Sequence, residues 1–192
     1  VMVSGFVAVS LERAVRPAGE LAVLEAYDYR IDVDYVQADQ RPEAFFADLF
    51  ATLAARRRTM RHYVAADPWD CFLGVVTETD RLHHYFWHAW VDPTHALHQR
   101  FLDFYAEVDA LIGELGDTLG DETPLFVVAD HGHTAIEAEC RPNAWLQAAG
   151  LLTFTTETPR SLADLAPSSQ AFVLDPGRVY LNRASRFPRG VV

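Results

Sequence analysis

Apolar positions along the chain fall into two kinds of pattern. The run "CFLGVV" (71–76) is uninterrupted, with Asp-Pro before it and the polar "TETD" after it, the pattern of a strand buried on both faces. "TPLFVVAD" (123–130) has the same character. Other stretches repeat every three to four residues. "RPEAFFADLFATLAARRRTMRHYVAA" (41–66) predicts a long amphipathic helix with Pro42 in its first turn and Phe45, Leu49, Leu53 and Met60 on its apolar face. A second helix is predicted from Pro93, with Leu97, Phe101, Phe104, Val108, Leu111 and Leu115 at helical spacing until Gly116 and Gly120 end it. Strand, long helix and strand make a βαβ unit with a parallel sheet.

The flanking segments are shorter. Residues 1–9 read as a strand weakened by Gly5, and residues 17–27 as a short helix. "RPNAWLQAAG" predicts a helix starting near Asn143 with Gly150 as its C′ residue, followed by an extended "LLTFT" and a loop-like "SLADLAPSSQ". "AFVLDPGRVYLN" predicts a hairpin turning at Asp-Pro-Gly. The expected fold class is α/β, a mostly parallel sheet with helices on both faces, in one domain over residues 1–192.

Charge narrows the partners. Against 27 acidic residues stand 16 Lys and Arg, a formal net charge of −11, which argues against a nucleic-acid polymer or an anionic membrane surface. A small phosphate ester bound at a metal stays open, because divalent cations reverse the local potential. Cys71 and Cys140 lie in unlike contexts and indicate no disulfide framework, and no stretch reaches the roughly 20 apolar residues of a membrane span. A cytoplasmic protein is the expectation. Because the chain begins "VMVSGF" and stops at "PRGVV", it reads as a piece of a longer protein.

In an open parallel sheet, ligands bind outside the carboxyl ends of the strands. Asp80 follows the first apolar run and "ADHGH" the second, so two strand ends deliver Asp and His to one edge. Asp80 and His84 lie one turn apart if a helix begins at or just before Asp80, within reach of one cation. His88, a further turn on, is an additional candidate, whereas His83 points a quarter-turn away and reads as structural. Asp130 and His131 are consecutive, and Gly132 is expected to give the freedom of a tight turn; His133 is a further candidate. Oxygen and imidazole donors with no thiolate nearby suit zinc, or manganese as the alternative. Arg56, Arg57 and Arg58 read as a solvated helix end, His95 and His98 as exposed polar positions, and Tyr85, Phe86, Trp87 and Trp90 as core or pocket wall.

Strand, Asp-x-x-x-His, helix, strand and Asp-His-Gly together resemble the metal-binding core of the alkaline phosphatase superfamily. "TETDRLHHYFW" and "VVADHGHT" are similar to the two signature blocks of its type I phosphodiesterase and nucleotide pyrophosphatase branch, and "GRVYLNRASRFPRGVV" to the segment that follows. The resemblance covers most of the chain and implies a metal-dependent hydrolase of phosphate esters. It implies two divalent ions, one taking Asp80 and His84 plus a later His, the other Asp130 and His131 plus an earlier Asp and a Thr or Ser nucleophile. On that pattern the early Asp and nucleophile precede Val1 and the last His follows Val192, so the expectation is a partial domain, inactive by itself. Ser4, Thr77, Thr79 and Thr134 are not assigned as nucleophile. The alternatives are a phosphomutase or sulfatase of the same superfamily, and a non-catalytic metal-binding or interaction domain.

Overall fold

A computed structural model describes every residue except Phe6, Asp67 and Pro176, with Leu162 described by its backbone alone. The first of two compact units, Val1–Ala135, is organised by its helices. In chain order it contains β1 (Met2–Val3), α1 (Leu11–Ala14), β2 (Val15–Arg16), α2 (Leu21–Ala26), α3 (Pro42–Ala66), α4 (Glu78–Val91) and α5 (His98–Leu119). β1 and β2 pair antiparallel, Met2 opposite Arg16.

The long helices form where their periodicity places them. Phe45, Leu49, Leu53 and Met60 of α3 are buried, as are Phe101, Phe104, Val108 and Leu111 of α5. They join Leu82, Phe86 and Ala89 of α4 in one core, where Phe46 and Phe86 stand 5.0 Å apart, centroid to centroid. Such a cluster is the main stabilising term of the unit, at about 1.5–3 kcal/mol per fully buried large side chain. α5 starts later than its pattern suggested: the chain turns from Asp92 to His98, with Asp92 Oδ1 accepting from the Thr94 amide and hydroxyl at 2.8 and 2.7 Å.

The parallel sheet is not shown. Among the described residues the only sheets are two antiparallel pairs, and residues 71–76 and 124–129 belong to neither helix nor strand. Phe72 and Val76 pack partly against the core, and Gly74 lies so close to Met60 that an added Cβ would meet its Cε at 3.1 Å. The opposite face is open: Leu73 is 82% exposed, and in the second run Phe126 is 82% and Val128 83% exposed. The prediction of strands buried on both faces is therefore corrected. An unbroken apolar run records that a segment has two faces to cover, but not which neighbour covers them, and here the helices cover at most one.

Arg56 is a second correction. Consecutive helical residues point about 100° apart, so three adjacent arginines cannot share one surface. Arg56 falls on the same side as Leu49, Thr52, Leu53 and Met60 and is 4% exposed, whereas Arg58 is exposed and Arg57 pairs with Glu107 and Glu114. Its Nε donates to Glu78 Oε1 at 2.7 Å, its Nη1 to Tyr29 Oη at 2.9 Å and its Nη2 to Thr77 Oγ1 at 3.3 Å. Burial opposes the charge on Arg56 most strongly of any single cause, but the Glu78 carboxylate and the Tyr29 phenol together outweigh it and hold the guanidinium pKa above its ordinary value.

The second unit, Ile136–Val192, contains α6 (Pro142–Ala148), β3 (Ala171–Asp175) and β4 (Arg178–Leu181). The hairpin forms as expected, with Phe172 opposite Tyr180. Of its Asp-Pro-Gly turn, Pro176 lies outside the described residues, as do Phe6 of the expected first strand and Asp67 of the Asp-Pro boundary. Asn143 imitates a strand edge, donating from Nδ2 to Val173 O and accepting from Val173 N, each at 2.8 Å. Gly150 ends α6 at φ 71°, a conformation that favours glycine. Among the described residues no helix is long and apolar enough to cross a membrane.

Two measurements check this account. Arg56→Met leaves Glu78 buried without its cation and is expected to cost about 3–5 kcal/mol in urea unfolding, most of it recovered when Glu78→Leu is added. Tyr63 donates to Glu20 Oε2 at 3.0 Å, and burial, followed by that hydrogen bond, pushes its pKa up to about 12 from 10.0. The folded chain thus holds this proton more tightly than the unfolded one, and stability falls as pH rises between those values. Tyr63→Phe is expected to lose less stability than the wild type between about pH 9 and about pH 11 in the same assay.

Candidate metal centre

The first turn of α4 is tied down at almost every position. Thr77 and Glu78 take the Arg56 guanidinium, and Thr79 Oγ1 donates to Val76 O at 3.1 Å. Arg81 reaches back to Asp32 with Nη2 and Nε at 2.6 and 3.2 Å. Asp80 lies among these anchored residues, and its Oδ1 faces three histidines. His84 Nε2 and His133 Nε2 each lie 3.3 Å from that oxygen, and His131 Nε2 lies 3.8 Å from it. Acidic Glu78 and Asp80 also suit the positive end of the helix dipole.

The second block arrives as irregular chain, in neither helix nor strand. Gly132 lacks a positive φ and a Cβ there would meet no atom within 4 Å, so the expected need for glycine's freedom is not met. It brings the His131 and His133 imidazoles to one oxygen of Asp80 and leaves the Asp130 carboxylate apart. Asp130 is 92% exposed, with its Oδ2 3.6 Å from His131 Nε2. The donor atoms of Asp80, His131 and His133 all lie within 4.8 Å of one another.

His131 Nδ1 donates to Gly132 O at 3.1 Å, so in the neutral ring the lone pair is on Nε2, the nitrogen nearest Asp80. His133 Nε2 is buried, and although it lies 3.3 Å from Asp80 Oδ1 it makes no aligned hydrogen bond. A buried polar atom left so costs about 1–3 kcal/mol, which a ligand bond relieves. An orphaned imidazole nitrogen, a second imidazole with its lone pair free and a carboxylate together fit a divalent ion.

His83 proves structural in a specific way. Its Nδ1 donates to Thr79 O at 2.9 Å, its ring stacks on His133 at 4.7 Å and 17°, and burial holds its pKa below the ordinary imidazole value. His88 is not brought to the site. α4 is kinked at Phe86 (φ −127°, ψ 26°), which breaks the face shared with His84, and His88 instead stands 4.8 Å from the His95 ring. His133, a further candidate from the sequence, is the second imidazole that the structure brings beside Asp80. The signal for it is the H-x-H spacing, two imidazoles separated by a single small residue.

No curated protein and no solved structure matches the chain. The family model described as type I phosphodiesterase / nucleotide pyrophosphatase matches residues 11–185, which include α4, both apolar runs and every histidine of the centre. On that match the chain belongs to the type I phosphodiesterase/nucleotide pyrophosphatase family.

Proposed function

We propose that this protein hydrolyses phosphoric esters of the phosphodiester or pyrophosphate kind, using divalent metal ions held by Asp80, His84, Asp130 and His131. The observation that carries the reading is the convergence on Asp80: a carboxylate from one block and an imidazole from the other are 3.8 Å apart, in a family of phosphoric ester hydrolases. Zinc suits imidazole and carboxylate donors, with manganese as the alternative and two ions as the proposed number. A metal bound there supplies positive charge to the phosphoryl oxygens and to the leaving oxygen.

The chain's own residues do the rest by position. Arg56 and Asp32, through Glu78 and Arg81, fix the turn that presents Asp80, and His83 backs the ring of His133. The hydroxyls of Thr77 and Thr79 are engaged by Arg56 and Val76 O, which argues against either as nucleophile. The substrate is a small anionic ester, in keeping with a chain whose own net charge of −11 disfavours polyanions.

The test is hydrolysis of bis(p-nitrophenyl) phosphate and p-nitrophenyl phosphate by the protein expressed from its complete coding sequence, with zinc or manganese added. Hydrolysis is expected to be abolished by EDTA, restored by metal and reduced by Asp80→Asn by about a hundredfold or more, at or beyond the upper end of an outer-shell effect. Turnover that survives both EDTA and Asp80→Asn overturns the reading.

A further inference from the structure

We infer that Arg58, Arg61 and His62 of α3, with Tyr27 at the end of α2, form a binding site for a phosphate group, free or carried by a small monoester. The site shares no residue with the metal centre and does not rest on the proposed hydrolysis.

The walls of the site are set by local structure. Steps of three and four residues put Arg58, Arg61 and His62 on one face of α3, whereas Arg56 turns into the core and Arg57 towards Glu107 and Glu114. Tyr27 is placed by the turn that ends α2. Asp28 takes the left-handed conformation at φ 51°, Tyr29 N donates to Leu24 O at 2.9 Å and Asp28 N to Glu25 O at 3.1 Å, a paired closure common at helix C-termini. Tyr27, Arg58, Arg61 and His62 line a cleft of about 320 Å³. Asp28, although next to Tyr27 in sequence, is not part of the lining.

Positive charge is left over in this cleft. Arg58 Nη2 donates to Tyr27 O at 2.9 Å, a neutral acceptor, and among the described residues Arg58 forms no ion pair. Glu114, paired with Arg61 at 3.6 Å, is already gripped by Arg57 through Nε at 2.8 Å and through Nη2. His62 Nδ1 lies 3.3 Å from Tyr27 Oη, which leaves Nε2 for a ligand. In a chain of net charge −11, two weakly neutralised guanidiniums around a hollow are an arrangement that an anion completes.

The donors also select the kind of anion. Guanidinium groups present paired, planar N–H donors that match two oxygens of a phosphate, and the imidazole adds a donor from another direction. At about 320 Å³ the cleft is at the lower end of small-molecule sites, which fits a phosphate with a small substituent and not a polymer.

The test reads the site directly and involves no hydrolysis. Inorganic phosphate, and in a second arm glycerol 2-phosphate, is titrated into the full chain in EDTA while the imidazole resonances of His62 and His131 are followed separately, with sodium chloride at matched ionic strength as the blank. The expected result is a saturable shift of His62 that chloride does not give. Its midpoint is expected to weaken by about fivefold or more in Arg58→Gln and in Arg61→Gln, and by less than about twofold in Arg41→Gln, which removes the same charge about 25 Å away along α3. Tighter binding of the monoester assigns the site to esters and tighter binding of phosphate to the free ion, and either supports it. A His62 resonance that stays still or moves equally with chloride overturns the inference, as does equal weakening in all three variants. Should Arg58→Gln fail to fold, Arg61→Gln, whose side chain is 62% exposed, carries the comparison.

Discussion

The contact on which the first unit most depends is the buried ion pair between Arg56 and Glu78. An arginine on the core side of a 25-residue helix is costly to desolvate, and it is tolerated because one carboxylate, one phenol and one hydroxyl accept from it in place of water. The same bonds fix where α4 begins. With Thr77 and Glu78 held on one side and Arg81 held by Asp32 on the other, the intervening Asp80 has little freedom of direction. A long-range electrostatic link, spanning 22 residues of sequence, thereby sets the aim of a carboxylate that makes no bond to it.

The helices were legible in the sequence because their burial depends on spacing, and spacing is a local property. Phe45, Leu49 and Leu53, or Phe101, Phe104 and Val108, occupy the core because their rows lie on one stripe of a cylinder. The sheet was not legible for the converse reason. "CFLGVV" and "PLFVV" state a demand for burial without naming what meets it, and residues of this type look alike whether one face is covered or two. Arg56 was misread because three arginines in a row look like one chemical feature, while the helix sends them in three directions.

Much the same division runs through the site. Asp80 and the Asp-His pair at 130–131 were visible because each follows an apolar run, and both blocks do meet. Equal helical spacing puts His88 on the face of His84 only if it continues through Phe86, where the helix departs from regular geometry. In "DHGH" the structure brings both imidazoles to one Asp80 oxygen, a convergence that the tight turn expected at Gly132 does not describe. His83, set aside as structural, owes its importance to the ring stacked on it. Periodicity identifies a residue that faces inward but not the partner it meets there.

The uncovered faces of the two apolar runs bear on how the chain behaves in concentrated solution. A β-prone apolar segment with side chains such as Leu73, Phe126 and Val128 facing solvent is a surface on which another such segment can associate. What opposes such pairing is the surplus of negative charge, −11 near neutral pH. That protection fades as salt screens it and vanishes near the isoelectric point of about 5.0. The acidity that disfavours nucleic acid thus also acts as a colloidal safeguard, keeping sticky edges apart in neutral, dilute buffer and releasing them in mild acid.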